Sequence, residues 1–183
     1  MTADKLKEIQ RFFKENADEK NIKKYSRYFK DGYTGYGIDR KVFEKQKNTW
    51  LQEWKDEMNL DTYLDLGDKL MKSGKLEEAS LAVQFVAEFK DQFSPGVFEH
   101  MGAWLENHIS DWAGTDVLCM QVMPHFFTSD IVSLEKLKTW HESPSQWKRR
   151  AVPVTLVELL KTGIIPEQVF PVIEPLMEDS SEY

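Results

Sequence analysis

Residues 61–91, DTYLDLGDKLMKSGKLEEASLAVQFVAEFKD, carry apolar residues at spacings of three and four, the period of a helix, with no strand-like alternation. Asp61 can accept a bond from an exposed N–H of a first turn, and Gly74 can take the left-handed conformation that ends a helix. A helix from about Asp61 to Lys72 is expected. The next runs from about Leu76 to Asp91, with Leu81, Ala82, Phe85 and Phe89 on its apolar face.

The same punctuation continues outward. Ser94 suits an N-cap and Pro95 the first helical position, where its missing N–H costs nothing. Ser143-Pro144-Ser145-Gln146 repeats the device, with Ser143 as the cap and Gln146 placed to complete a capping box; Gly163 closes that helix. Read through, the chain is all-α: about ten helices of 10 to 18 residues, in pairs recurring roughly every 35 to 40 residues. That period points to an α-solenoid forming a single domain over residues 1–183, with an irregular bundle as the alternative. Pro153, Pro171 and Pro175 should kink or interrupt helices. The ending EDSSEY has no apolar face, so the last pair is expected to lack a neighbour.

The length of 183 residues supports a core without disulfides, and the single cysteine, Cys119, excludes an internal disulfide and any Cys-only zinc site. No apolar run approaches the roughly 20 residues of a spanning helix, and the charged start MTADKLKEIQ lacks the apolar core of a signal peptide. A cytoplasmic protein away from membranes is expected. The 24 Lys and Arg against 31 Asp and Glu give a formal charge of -7, which by itself argues against a polyanion partner. The charge is uneven, however: residues 1–50 hold 13 basic and 8 acidic residues, whereas residues 51–100 hold 5 and 11, and residues 101–183 hold 6 and 12. A basic face is compatible with an acidic protein.

Three places could carry chemistry. The stretch WAGTDVLCMQVMPHFF, residues 112–127, is apolar on nearly every side and reads as one buried central helix interrupted by Asp116. Helical spacing puts Trp112, Asp116, Met120, Met123 and Phe127 on one stripe. A buried carboxylate needs a donor, a cation or water opposite it. The residues leave two readings open, an acid paired with an arginine for structure and a functional acid in a cleft. The second place is Trp147-Lys148-Arg149-Arg150-Ala151, three cations at a helix N-terminus, where they oppose the macrodipole unless they meet anions such as phosphate or Asp116. The third is Lys23-Lys24-Tyr25-Ser26-Arg27-Tyr28-Phe29-Lys30, followed by the Gly-rich Asp31–Ile38 segment; aromatics interleaved with cations suit a nucleic-acid backbone or the end of an amphipathic helix. The glycine spacing fits neither a P-loop nor a dinucleotide fingerprint. His100, His108, His125 and His141 show no metal-ligand spacing, and Cys119 in an apolar helix reads as a small core residue.

Arg27-Tyr28-Phe29-Lys30 with Tyr36-Gly37-Ile38, then Trp112-Ala113-Gly114-Thr115-Asp116-Val117, then Trp147-Lys148-Arg149-Arg150-Ala151 follow one another in the order and spacing of the DNA alkylation repair (AlkD-type) family, which this chain resembles over about residues 20–183. The resemblance implies HEAT-like helix pairs in a superhelix with a concave DNA-binding face. It also implies a monomeric, cofactor-free and metal-free DNA glycosylase that removes positively charged N3- and N7-alkylated purines from double-stranded DNA. Trp112 and Asp116 would be the catalytic pair, Arg150 a DNA contact, and Tyr28 an N-terminal aromatic contact. Lys148 and Arg149 beside Arg150, and Arg27 and Lys30 beside Tyr28, would join in holding phosphates. There are two departures from the family pattern. Ala113 stands where Asp often follows the tryptophan, and the chain is expected to be a C-terminally shortened form lacking a second active-site tryptophan. Two other functions remain on these residues, a non-catalytic binder of damaged, bent or branched DNA and a protein-binding solenoid.

Overall fold

The computed structural model describes residues 1–181. Among them are ten α-helices joined by short turns and 3-10 segments, and no strand. The all-α expectation holds, with helices of 6 to 15 residues, shorter at both ends of the range than expected. Glu182 and Tyr183, the end of the polar EDSSEY stretch, lie outside the described residues. The helices gather into two compact units, residues 1–88 and 89–183.

The N-terminal unit holds α1 (Thr2–Glu15), α2 (Glu19–Tyr25), α3 (Arg40–Trp54), α4 (Leu60–Met71) and α5 (Leu76–Ala87). Helices α4 and α5 form the pair read from residues 61–91, turning at Gly74 with φ +65°. The start differs by two residues: Asn59, not Asp61, is the cap, and its side chain and that of Thr62 bond reciprocally to each other's backbone N–H. Asp61 instead lies in the first turn, where its charge favours the helix dipole. The core is aromatic. Phe13 stacks on Phe43 at 5.9 Å, Trp50 on Trp54 at 5.6 Å, and Tyr63 meets Phe85 at 4.9 Å. Burying each such ring is worth about 1.5–3 kcal/mol. Polar tips at the rim are satisfied: Trp50 Nε1–H donates to Glu8 at 2.7 Å, and Lys5 lies 4.4 Å over the Trp54 ring while bonding Glu57 at 2.8 Å.

The C-terminal unit holds α6 (Pro95–Asn107), α7 (Trp112–Gln121), α8 (Met123–Thr128), α9 (Gln146–Leu160) and α10 (Pro166–Ile173). Ser94 caps α6 and Pro95 opens it, as expected. The long helix expected over residues 112–127 is two helices, broken at Val122. Pro124 has no N–H for the carbonyl of Met120 and its ring crowds that carbonyl, which favours a break there, and Pro124 takes a first-turn position of α8, where its missing N–H costs nothing. The expected stripe therefore splits. Met123 and Phe127 are buried, whereas Trp112 and Asp116 are half-buried and Met120 is exposed. Pro153 and Pro171, expected to interrupt, lie inside continuous helices, where each removes a single hydrogen bond. Pro175 follows the end of α10 in a 3-10 turn. The cap of α9 is Ser145 rather than Ser143: Ser145 Oγ accepts from Lys148 N–H at 3.4 Å, while Ser143 Oγ accepts from Ser145 N–H at 3.2 Å. No capping box forms, because Gln146 Oε1 accepts instead from the Ser181 hydroxyl at 2.8 Å. Gly163, at φ +99°, stands just past the helix end.

Helix α7 packs against α9, and the seam explains the site. Thr115 and Cys119 on α7 and Ala151 and Thr155 on α9 are small and buried, which lets the two helices approach closely. Cys119 Sγ reaches the carbonyl of Ala151 at 3.5 Å. The neighbours of these seam residues, Asp116 and Arg150, are thereby brought edge to edge.

Candidate functional site

Asp116 and Arg150 meet in a two-point ion pair: Nε to Oδ1 at 3.0 Å and Nη2 to Oδ2 at 3.0 Å. Their side chains are 24% and 21% exposed, so the pair is partly open to solvent and not in the core. Trp112 lies one turn before Asp116 on the same partly open side of α7, and Met120, one turn after, is 57% exposed. The N-cap of α7 is another carboxylate. Asp111 Oδ1 accepts from Gly114 N–H at 2.7 Å, and burial, reinforced by the negative charge of Asp116, raises its carboxyl above the usual range. A dense negative region therefore underlies the first turns of α7, and Arg150 offsets part of it.

The other two cations of the cluster also hold acids. Lys148 Nζ pairs with Glu106 and lies 5.7 Å over the Trp140 ring. Arg149 donates from Nε and Nη2 to Asp179 at 2.6 and 3.2 Å, and from Nη1 to the Ser143 carbonyl at 2.8 Å. That hydrogen-bonded partner holds Asp179 below the usual carboxylate range. Three like charges at a helix N-terminus are thus tolerated because each faces a carboxylate. A cavity of about 220 Å³ lies beside the cluster, bounded by Gln146, Arg149, Arg150, Leu176 and Asp179 among others.

In the N-terminal unit Lys23 and Lys24 lie in the last turn of α2, Arg27 and Tyr28 on the 3-10 turn Ser26–Tyr28 that follows, and Lys30 just beyond it. Lys23, Lys24, Arg27 and Lys30 are exposed, and Tyr28 is 66% exposed. Tyr25 and Phe29 turn inward against Tyr33, at 5.9 and 5.2 Å. The Gly-rich segment after them is not an open anion cradle. Its amides are taken by Glu77, which accepts from Tyr36 N–H at 2.9 Å, Gly37 N–H at 2.7 Å and Ile38 N–H at 3.2 Å.

The partners Glu77, Glu78, Glu106 and Asp179 went unread in the sequence. A signal existed for one of them, because Glu77 continues the four-residue spacing of Leu81 and Phe85 inward. None existed for Glu106 or Asp179, whose pairing depends on tertiary placement. Cys119 is fully buried, and burial pushes its thiol up to about 12, so it is a core residue and not a nucleophile. Among the described residues, no three His, Cys, Asp or Glu side chains converge on a possible metal site. No helix among them is long and apolar enough to cross a membrane.

Against known proteins, neither the curated proteins nor the solved structures gave a match. A family model described as DNA alkylation repair enzyme matches residues 9–183, nearly the whole chain and every residue of the site above. The chain therefore belongs to the DNA alkylation repair enzyme family, and DNA repair, with DNA as its partner, is its role.

Proposed function

We propose that the protein is a monomeric, cytoplasmic DNA glycosylase that hydrolyses the N-glycosidic bond of positively charged N3- and N7-alkylated purines in duplex DNA. The observation that carries this reading is the half-buried Asp116 beside Trp112 on an open helix face, held in orientation by Arg150. An alkylated purine is already a cation. When its C1′–N9 bond breaks, the electron pair leaves with the base, which departs neutral, and positive charge develops on the deoxyribose. A water then adds to C1′ and gives up a proton, leaving an abasic site. Such chemistry needs no metal or redox cofactor, because the leaving group supplies its own activation.

Asp116 has two tasks in this scheme. Its negative charge, in a site partly closed to water, stabilises the sugar cation electrostatically. It can also accept the proton of the attacking water. A carboxylate has about four acceptor positions, and Arg150 takes two, so the ion pair does not exhaust it. The face of Trp112 attracts a cationic base or sugar by roughly 0.5–2 kcal/mol. Arg150 serves as the phosphate contact next to the lesion: a phosphate drawing on its guanidinium leaves more of the Asp116 charge for the sugar. Lys148 and Arg149 flank it as further phosphate contacts, in exchange with Glu106 and Asp179. Arg27, Tyr28 and Lys30 form a separate backbone contact, which fixes position without reading sequence.

Asp116→Asn keeps shape and removes charge. Release of 7-methylguanine from methylated duplex should fall by about 10² or more, with duplex affinity changed little, as single-turnover assay and titration would show. Unchanged release would remove Asp116 from the mechanism. The two-point pairing of Asp116 with Arg150 also favours a second reading, a non-catalytic binder of damaged or bent DNA in which the pair is structural. Retention of methylated DNA with no free base, at excess protein, would decide for it.

A further inference from the structure

We infer that Glu77 is the positioning residue of the N-terminal DNA contact: its buried carboxylate holds the Tyr33–Ile38 loop, and through Tyr33 seats the turn that presents Arg27, Tyr28 and Lys30. The inference rests on the proposed reading of those three residues as phosphate contacts. Glu77 is 8% exposed and Glu78 fully buried, yet the bonds that hold their carboxylates come from neutral donors. Glu77 collects hydrogen bonds from the Tyr33 hydroxyl at 2.7 Å and from the three successive amides of Tyr36, Gly37 and Ile38. Glu78 takes the Tyr36 hydroxyl at 2.6 Å and the Gln10 side-chain amide at 3.1 Å. Both acids stand in the first turn of α5, where the helix dipole favours negative charge.

The loop is built for this carboxylate. A Cβ on Gly35 would lie 2.5 Å from Glu77 Oε2 and 2.4 Å from the Tyr33 hydroxyl, and one on Gly37 would lie 2.6 Å from the Asp18 carbonyl. The two glycines therefore allow the backbone to wrap the acid and to close on the start of α2. Leu76 N–H and the Thr34 carbonyl add a 2.9 Å bond between loop and helix. From there the connection is aromatic: the Tyr33 ring packs on Tyr25 and Phe29, the residues on either side of the Ser26–Tyr28 turn. The phenols of Tyr33 and Tyr36 are raised above the usual tyrosine range, by burial first and by the adjoining acids second, so both stay protonated donors.

Glu77→Gln tests the anchor, since an amide of the same shape turns one acceptor into a donor facing N–H groups. Duplex affinity at fixed salt should fall about tenfold. The slope of log affinity against log salt should drop by about two, which corresponds to two lost phosphate contacts at roughly 0.9 each. Single-turnover base release at saturating protein should stay within twofold, and amide exchange should quicken at Gly37 and Ile38 while the Leu66 and Leu70 amides of α4 stay protected. Tyr33→Phe, which keeps the ring and loses one bond to Glu77, should show the same signature more weakly and serves if Glu77→Gln does not fold. The control is Arg27→Ala with Lys30→Ala. If the control lowers the slope and neither anchor variant does, the anchor is overturned while the contact reading survives. If the control itself leaves the slope unchanged, the contact reading fails and the anchor proposal falls with it.

Discussion

The basic patch of the N-terminal unit and the basic cluster of the C-terminal unit look alike in sequence, each a run of cations with an aromatic beside it. They are opposite in construction. Lys23 and Lys24 end α2, Arg27 lies on the turn that follows and Lys30 just beyond it, and all four are exposed. Lys148, Arg149 and Arg150 lie along the start of a long helix, and each is paired with a carboxylate from elsewhere in its unit. The first arrangement offers charge that attracts a polyanion at a distance. The second offers charge only by exchange, because a phosphate must compete with Glu106, Asp179 or Asp116. In the proposed reading, affinity comes mainly from the first region and geometry around Asp116 mainly from the second.

Apart from loss of Asp116 itself, the largest effect that would separate the two regions is expected from Arg150→Ala. Removing the partner of a half-buried carboxylate should destabilise the protein by about 1–3 kcal/mol, seen in thermal melts. Base release should fall on the order of 10²-fold, because Asp116 loses its orientation. Equal loss of binding and release would mean that Arg150 acts only on affinity. Next in size is the Arg27→Ala, Lys30→Ala pair. It should weaken binding to every duplex alike and lower the salt slope by about two, with release at saturation nearly unchanged. A change in lesion preference would break the proposed division of labour.

The smallest effect concerns pH. Asp179 titrates below the usual carboxylate range because Arg149 holds its charged form. Its contribution is therefore present above the unfolded carboxylate value of about 4 and is lost as pH falls through the lower folded value. Asp179→Asn should lower the melting temperature slightly at neutral pH, by the equivalent of about 1 kcal/mol, since the pair is only partly buried and Arg149 keeps its bond to the Ser143 carbonyl. The gap from the parent protein should close in acid. A gap that persists at the lowest pH would show that packing of residues 176–181, and not the charge, is what matters there.

How far the sequence could be read followed the range of the interaction concerned. Helix class, the Gly74 and Gly163 stops and the Ser94-Pro95 start are local, and all were legible. The caps at Asn59 and Ser145 were missed because two candidate capping residues stood two positions apart in each case, and only the surrounding packing selects between them. The break at Val122 was missed for a different reason: the apolar character of residues 112–127 is continuous, and a proline interrupts some helices and not others, as Pro124 beside Pro153 and Pro171 shows. At the site, the spacing of Trp112 and Asp116 was visible. The seam of small residues that brings Arg150 to Asp116 was not, since nothing in either segment alone says which helix it will meet.

Cys119, on that seam, bears on the surroundings in which such a protein works. Agents that alkylate purines also alkylate sulfur, and the reactive species is the thiolate. With its thiol fully buried and pushed up to about 12, Cys119 stays protonated at neutral pH and out of reach. The chain's one cysteine is thus shielded from alkylating electrophiles, whereas the exposed thioether of Met120 is open to them.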